Sequence, residues 1–261
     1  MKNYIKYAKS QWLVWLGLLS TITSIGFIPS WQLTESLKVT FVIICFAISF
    51  AIPFVIAIKR CNFKLRTIGK SNVSFAFGDL FKEKCFVVTT NRYFDVNPTG
   101  DYIAKDSLLG KFVEKYFPNN VEQLEALIAA ELSKTQESNT SPFDYGTTIK
   151  IQYSGKIIYL LVFTDRIKTN QTEDFYEKTV QGFLETIVNE NHGLTISVPL
   201  IGDNNNLSDT GFDNSATTFK CLMAMINIFE TRYQRSEIKL KIVVLPEKRA
   251  ELIKLVQSYS K

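Results

Sequence analysis

The sequence predicts an α/β domain, a mixed six-stranded sheet covered by helices on both faces, behind an N-terminal hairpin of two transmembrane helices. Three observations carry this. Residues 39–58, VTFVIICFAISFAIPFVIAI, contain no charged side chain and stop at Lys59 and Arg60; at about 1.5 Å rise per residue such a run spans a hydrocarbon core of about 30 Å. Beyond residue 73, short apolar runs of strand length alternate with segments that keep the i, i+3, i+4 spacing of amphipathic helices. Finally, TTIKIQY and KIIYLLVFT flank Ser154-Gly155, a two-residue hairpin signal, so one strand pair is antiparallel among strand–helix–strand units.

A first apolar segment, residues 12–28 (WLVWLGLLSTITSIGFI), precedes the long one and follows Lys2, Lys6 and Lys9. No small-x-small cleavage site follows it, and a second span starts within about ten residues, so it reads as half of a hairpin rather than a signal peptide. Lys59, Arg60, Lys64, Arg66 and Lys70 follow the second span, while residues 29–38 carry one charge of each sign. The positive-inside rule then puts both termini on the cytoplasmic side of the cell membrane. Gly17 and Thr21 have small-xxx-small spacing, and Pro53 removes an amide from the second span and kinks it. The expected boundaries are 1–60 for the hairpin, 61–72 for a basic juxtamembrane linker and 73–261 for the α/β domain.

The chain has 261 residues and a formal charge of +5. Residues 1–70 hold nine Lys or Arg against Glu35 alone, a balance of +8, which leaves −3 for the rest. The α/β domain therefore has no electrostatic reason to bind a nucleic-acid backbone. Cys45, Cys61, Cys85 and Cys221 are widely spaced and form no CxxC pair, which argues for reduced thiols and against a structural metal site.

Within the domain, SFAFGD and CFVVTTN read as strands, SLLGKFVEKYF and VEQLEALIAAELSK as helices, and the Ser154-Gly155 hairpin as two further strands. EDFYEKTVQGFLETIVNEN is a helix leading into the strand LTISVPL; TTFKCLMAMINIFETRY, the strand LKIVVL and a last helix from Glu247 complete the chain. In such a sheet, ligands bind outside the carboxyl ends of the parallel strands. The unusual residues collect there. Gly78-Asp79-Leu80 follow the first strand, Asn91 ends the second and leads into Phe94 and Asp95, Ser107-Leu108-Leu109-Gly110 open a helix, and Gly202-Asp203-Asn204 follow the fifth strand. There is no Walker lysine and no GxGxxG fingerprint.

The order Gly78-Asp79-Leu80, Val88-Thr89-Thr90-Asn91, Tyr93-Phe94-Asp95, Ser107-Leu108-Leu109-Gly110 and Pro199-Leu200-Ile201-Gly202 resembles a divergent macro domain. Joined to a two-helix hairpin, it resembles the membrane-bound macro-domain effectors of type II Thoeris anti-phage systems, across nearly the whole chain. The resemblance implies a macro-like domain that binds an ADP-ribose-type signal, a histidine conjugate of ADP-ribose made by a partner TIR-domain protein. It implies that Asp79 accepts from the adenine amino group, that Asn91 lies beside the distal ribose, and that Gly202 opens the loop closing over the phosphates. Amides at Ser107 to Gly110, opening a helix, suit a diphosphate. Phe94 either stacks on the ligand or belongs to the core. The glycine-rich run usual after the second strand is spread here over Pro98-Thr99-Gly100 and residues 107–110, and Asp203 stands in the phosphate loop.

The expected function is that of a non-enzymatic receptor and effector: an oligomer that binds the nucleotide signal and disrupts the membrane, with neither cofactor nor metal. A membrane-anchored ADP-ribosyl hydrolase and a passive tether stay open as alternatives. Hydrolysis needs an activated water; the one histidine, His192, sits at a helix end, and Asp95, Asp101 and Asp106 are loop carboxylates.

Overall fold

A computed structural model describes residues 43–44, 47, 62–68, 71–97, 103–134, 142–165, 173–190, 193–202, 215–232 and 239–259. The chain divides into two units, Met1–Phe63 and Lys64–Lys261. In the first, Ile43, Ile44 and Ala47 of the long apolar run are helical and exposed; the rest of the two expected spans lies outside the described residues. Among the described residues, no helix is long and apolar enough to cross a membrane.

The strands are β1 (Asn62–Ile68), whose residues from Lys64 on belong to the second unit, and, wholly within that unit, β2 (Ser71–Phe77), β3 (Cys85–Asn91), β4 (Thr148–Tyr153), β5 (Lys156–Thr164), β6 (Ile196–Val198) and β7 (Lys239–Val244). They form one sheet in the order β1-β2-β7-β6-β3-β5-β4. Strands β2, β7, β6, β3 and β5 run parallel, and β4 is antiparallel to β5. The helices are α1 (Leu108–Tyr116), α2 (Val121–Lys134), α3 (Glu173–Glu190), α4 (Ser215–Arg232) and α5 (Arg249–Tyr259).

All six expected strands are present, and a seventh, β1, joins them from the segment expected to be a linker. Its sequence, NFKLRTI, sets Lys64 and Arg66 on either side of buried Leu65. That alternation suits a sheet edge, where basic side chains discourage pairing with another chain, and it suits a juxtamembrane linker equally well. The hairpin forms as expected: Ser154 and Gly155 take φ of 50° and 70°, and Tyr153 pairs with Lys156. Two consecutive positive φ values match the right-handed twist of the strands. The last helix starts at Arg249, after a 3-10 turn over Pro246–Lys248, rather than at Glu247.

Burial on both faces explains the nearly unbroken apolar strands. From Ile158 to Phe163, β5 is buried at every residue. One face of the sheet, with Phe86, Val88, Ile149, Ile151, Ile158, Leu160 and Val162, packs with Phe112, Val113, Leu124 and Ile128 of α1 and α2. On the other face, Phe163 meets Phe175 and Tyr176 of α3, and Phe75 meets Phe219 of α4 edge-on at 5.6 Å. Phe219 in turn meets Tyr259 of α5. Helix α3 comes close to the segment before β4 because two glycines oppose each other there. Gly146 has φ +91°, and a Cβ on Gly182 would lie 3.1 Å from the Gly146 backbone.

Candidate functional site

The parallel strands bring the carboxyl ends of β2, β7, β6, β3 and β5 to one edge of the sheet. Phe77, the last residue of β2, is level with Val244 at the end of β7. The ends of β2 and β3 are three strand spacings apart, roughly 14 Å at about 4.8 Å per spacing. Gly78 and Asp79, Asn91 to Asp95, and Gly202 therefore share this edge, although they are remote in sequence. Exposed Leu245 follows β7 there, next to Gly78, whose amide donates to the Val244 carbonyl at 2.9 Å.

At the β2 end the geometry is open. A Cβ at Gly78 would meet nothing within 4 Å. Asp79 caps a 3-10 turn, Leu80–Lys82; its Oδ1 accepts from the Phe81 amide at 2.9 Å. Its Oδ2 is 3.6 Å from Lys115 Nζ of α1, the two side chains being 41% and 43% exposed. That ammonium also stands over the rings of Phe81 and Tyr116, at 5.0 and 5.8 Å. The Tyr116 hydroxyl donates to the Phe81 carbonyl at 2.9 Å; burial, and then the Asp79 charge, raise its pKa. Leu80 is a core side chain.

At the β3 end the polar groups are turned inward. Asn91 is 4% exposed; its Oδ1 accepts from the amides of Tyr93 and Asp95 at 3.0 and 3.1 Å, and its Nδ2 donates to Asp95 Oδ2 at 3.0 Å. One side chain thus organises the turn from Arg92 to Asp95. Phe94 sits in that turn at φ +51°, a conformation that costs a non-glycine residue about 1 kcal/mol. Its buried ring packs edge-on against Phe143 at 5.2 Å, so of the two readings open for Phe94 the structure selects the core. Arg92, which sequence reasoning did not single out, bolts this turn to the segment before β4. Its Nε donates to the Phe143 carbonyl at 2.7 Å, its Nη1 lies 3.5 Å from Asp165 Oδ2 beyond β5, and its guanidinium covers the Tyr145 ring at 4.8 Å.

The remaining expected residues divide in two. Ser107 is the N-cap of α1, and its hydroxyl accepts from the Gly110 amide at 3.0 Å, so that amide is already engaged. Leu109 is buried and Leu108 packs against the same core. A Cβ on Gly110 would lie 2.4 Å from the Ala104 carbonyl, so the glycine is required for close backbone approach. After β6, Gly202 is buried with φ +92°, as a tight turn over the edge demands. Asp203 and Asn204 lie outside the described residues, as do His192, Asp101 and the run Pro98-Thr99-Gly100. Asp106 is exposed. Cys85 and Cys221 form no disulfide, and burial pushes the Cys85 thiol up to about 11. Among the described residues, no group of His, Cys, Asp and Glu is placed to hold a metal ion.

Lys115 and Arg92 were missed for one reason. Each sits where a solvated charge is ordinary, and only the fold brings Lys115 to Asp79 and Arg92 to Phe143.

The arrangement is similar to known structures. An aspartate-to-alanine mutant of the Oceanobacillus iheyensis macrodomain is 17% identical; the match covers 76% of this chain and 96% of that one, with a TM-score of 0.53. The Oceanobacillus iheyensis macrodomain with MES bound is 18% identical over the same shares, with a TM-score of 0.51. At these identities the likeness shows the fold. No curated protein matches the chain. The family model described as "Thoeris protein ThsA, Macro domain" matches residues 73–245, a span that takes in both strand ends described above and most of the sheet. The chain belongs to the Thoeris ThsA macro-domain family.

Proposed function

We propose that this protein is the receptor and effector of a Thoeris anti-phage system. Its macro domain binds an ADP-ribose-derived signal, a histidine conjugate of ADP-ribose supplied by a TIR-domain partner. Occupancy makes neighbouring chains cluster, and residues 12–28 and 39–58 then disrupt the cell membrane. Family membership over residues 73–245 is the observation that carries this reading.

Two features support it. At the carboxyl edge, half-exposed Asp79 offers a carboxylate next to Gly78, where a Cβ would meet nothing within 4 Å, a setting for a nucleobase with an amino group. In the first unit, Ile43 and Ile44 stand 62% and 51% exposed on helical backbone, apolar surface of the kind a lipid phase or a neighbouring helix covers. A ligand drives clustering only by binding the clustered state more tightly than the resting one.

Calorimetry on the full chain tests the head: ADP-ribose binds without turnover, and Asp79→Ala weakens it about tenfold, the worth of one charge-assisted hydrogen bond. Release of ADP-ribose from a modified protein by this chain would transfer the assignment to an ADP-ribosyl hydrolase. Topology is tested by cysteine labelling from outside intact cells, which should reach a cysteine at Ser36 and spare one at Ser260. Dye leakage should require both the signal and residues 1–58.

A further inference from the structure

The crossover from β2 to β3 takes only residues 78–84 and contains one 3-10 turn, Leu80–Lys82, in place of a helix. A single turn of this kind has little stability of its own. Its two i→i+3 bonds end on the carbonyls of Asp79 and Leu80, both at 3.1 Å, while the Phe81 carbonyl is met from outside, by the Tyr116 hydroxyl of α1 at 2.9 Å. Tyr116 is itself fixed by the core: its ring stacks on Phe86 of β3 at 6.1 Å and packs against Phe112 at 5.5 Å, and both of those rings are fully buried. The far end of the crossover is tied separately. Glu83 Oε1 accepts from Lys241 Nζ of β7 at 2.7 Å, and the Glu83 carbonyl accepts from Lys156 Nζ of β5 at 2.6 Å.

We propose that Tyr116 is a positioning residue of the ligand site: it sets the aim of the Asp79 carboxylate through the Phe81 backbone, without touching the ligand. This rests on the ligand-binding reading above, in which Asp79 meets the ligand. The Phe81 amide holds Asp79 Oδ1 at 2.9 Å, so the direction of the carboxylate follows from where the Phe81 backbone stands, and the Tyr116 bond, reaching across 35 residues of sequence, decides that. Without it the turn is free to shift and the half-exposed carboxylate to sample other rotamers. A ligand would then have to order Asp79 as it binds, a cost that an acceptor already held in place avoids. The tie at Glu83 lies beyond the turn and bears on how firmly the crossover is packed, not on where Asp79 points.

The test is a double-mutant cycle of Tyr116→Phe and Asp79→Ala, read by calorimetry on the full chain with ADP-ribose, each affinity corrected for the unfolded fraction measured in urea. Tyr116→Phe keeps the packed ring and removes the donor. It should weaken ADP-ribose about threefold in the wild-type background and not at all in Asp79→Ala, where the carboxylate it aims is gone, a coupling that a merely structural tyrosine would not show. Lys241→Met, which unties the far end of the crossover, should lower stability and leave the affinity unchanged. Equal weakening by Tyr116→Phe in both backgrounds, no weakening in either, or a loss of affinity in Lys241→Met as large as in Tyr116→Phe would each overturn this inference and leave the binding function standing. If ADP-ribose fails to bind the wild-type chain, or binds Asp79→Ala as tightly as wild type, the reading of Asp79 as a ligand residue falls and this inference with it.

Discussion

The two strand ends on the same edge of the sheet are built in opposite ways. At the end of β3, Asn91 is buried, both of its amide atoms are engaged within four residues of chain, and Arg92 ties the turn to the Phe143 carbonyl and to Asp165. At the end of β2, Asp79 and Lys115 are half exposed and face each other across 3.6 Å. The difference separates two jobs that look alike in sequence. A buried polar side chain bonded through both its oxygen and its nitrogen holds the shape of a site, and a half-exposed one with a lone pair left over is free to meet a ligand. Asn91, expected beside the distal ribose, belongs to the first kind, since its side chain shapes the turn that any ligand would meet.

The sharpest way to break this comparison is Asn91→Ala, which leaves the Tyr93 and Asp95 amides and the strained Phe94 unsupported. It should cost about 3 kcal/mol in urea unfolding and abolish nucleotide binding with it. A variant as stable as wild type would show that the β3 end is not a scaffold. Arg92→Met should follow at about 2 kcal/mol, from the lost charge-assisted bond to Phe143 and an Asp165 left facing no guanidinium. Its affinity for ADP-ribose, corrected for the unfolded fraction, should fall only a few-fold, in line with a positioning role.

Asp79→Ala sharpens the comparison from the other side. Losing the cap on the 3-10 turn should cost only about 0.5–1 kcal/mol of stability, while binding falls about tenfold. The smallest expected effect is at Tyr116. Its folded pKa is raised above the ordinary 10.0, first by burial and then by Asp79. Above about pH 10 the unfolded chain loses this proton before the folded one does, so the stability held by the protonated hydroxyl is complete below about pH 10 and is lost as pH rises through the folded value. Tyr116→Phe should cost about 1 kcal/mol at about pH 8 and flatten part of that alkaline loss. In Asp79→Ala, tyrosinate absorbance should report a lower pKa for Tyr116.

Much of the molecule was legible in the residues. Strand and helix periods located all six expected strands, Ser154-Gly155 marked its hairpin, and Gly202, expected to open a loop after the fifth strand, takes φ +92°. Strand β1 was obscured because Lys64 and Arg66 lend an edge strand the charge of a linker. At the site, the candidates at Gly78, Asp79, Asn91 and Gly202 do reach one edge, but Leu80, Phe94 and Leu109 belong to the core and half-buried Leu108 packs against it. The reason for the split is range. Period, turn chemistry and strand-end position are set by neighbours within a few residues, so the amino-acid order alone determined six of the seven strands, their helical covering and which residues follow the strand ends. Whether a given polar or aromatic side chain is engaged or free depends on partners 36 residues away for Lys115 and Asp79, and 51 for Arg92 and Phe143. Those pairings exist only once the chain is packed, and the tertiary structure alone decided which polar side chains are tied into the fold and which keep bonding capacity.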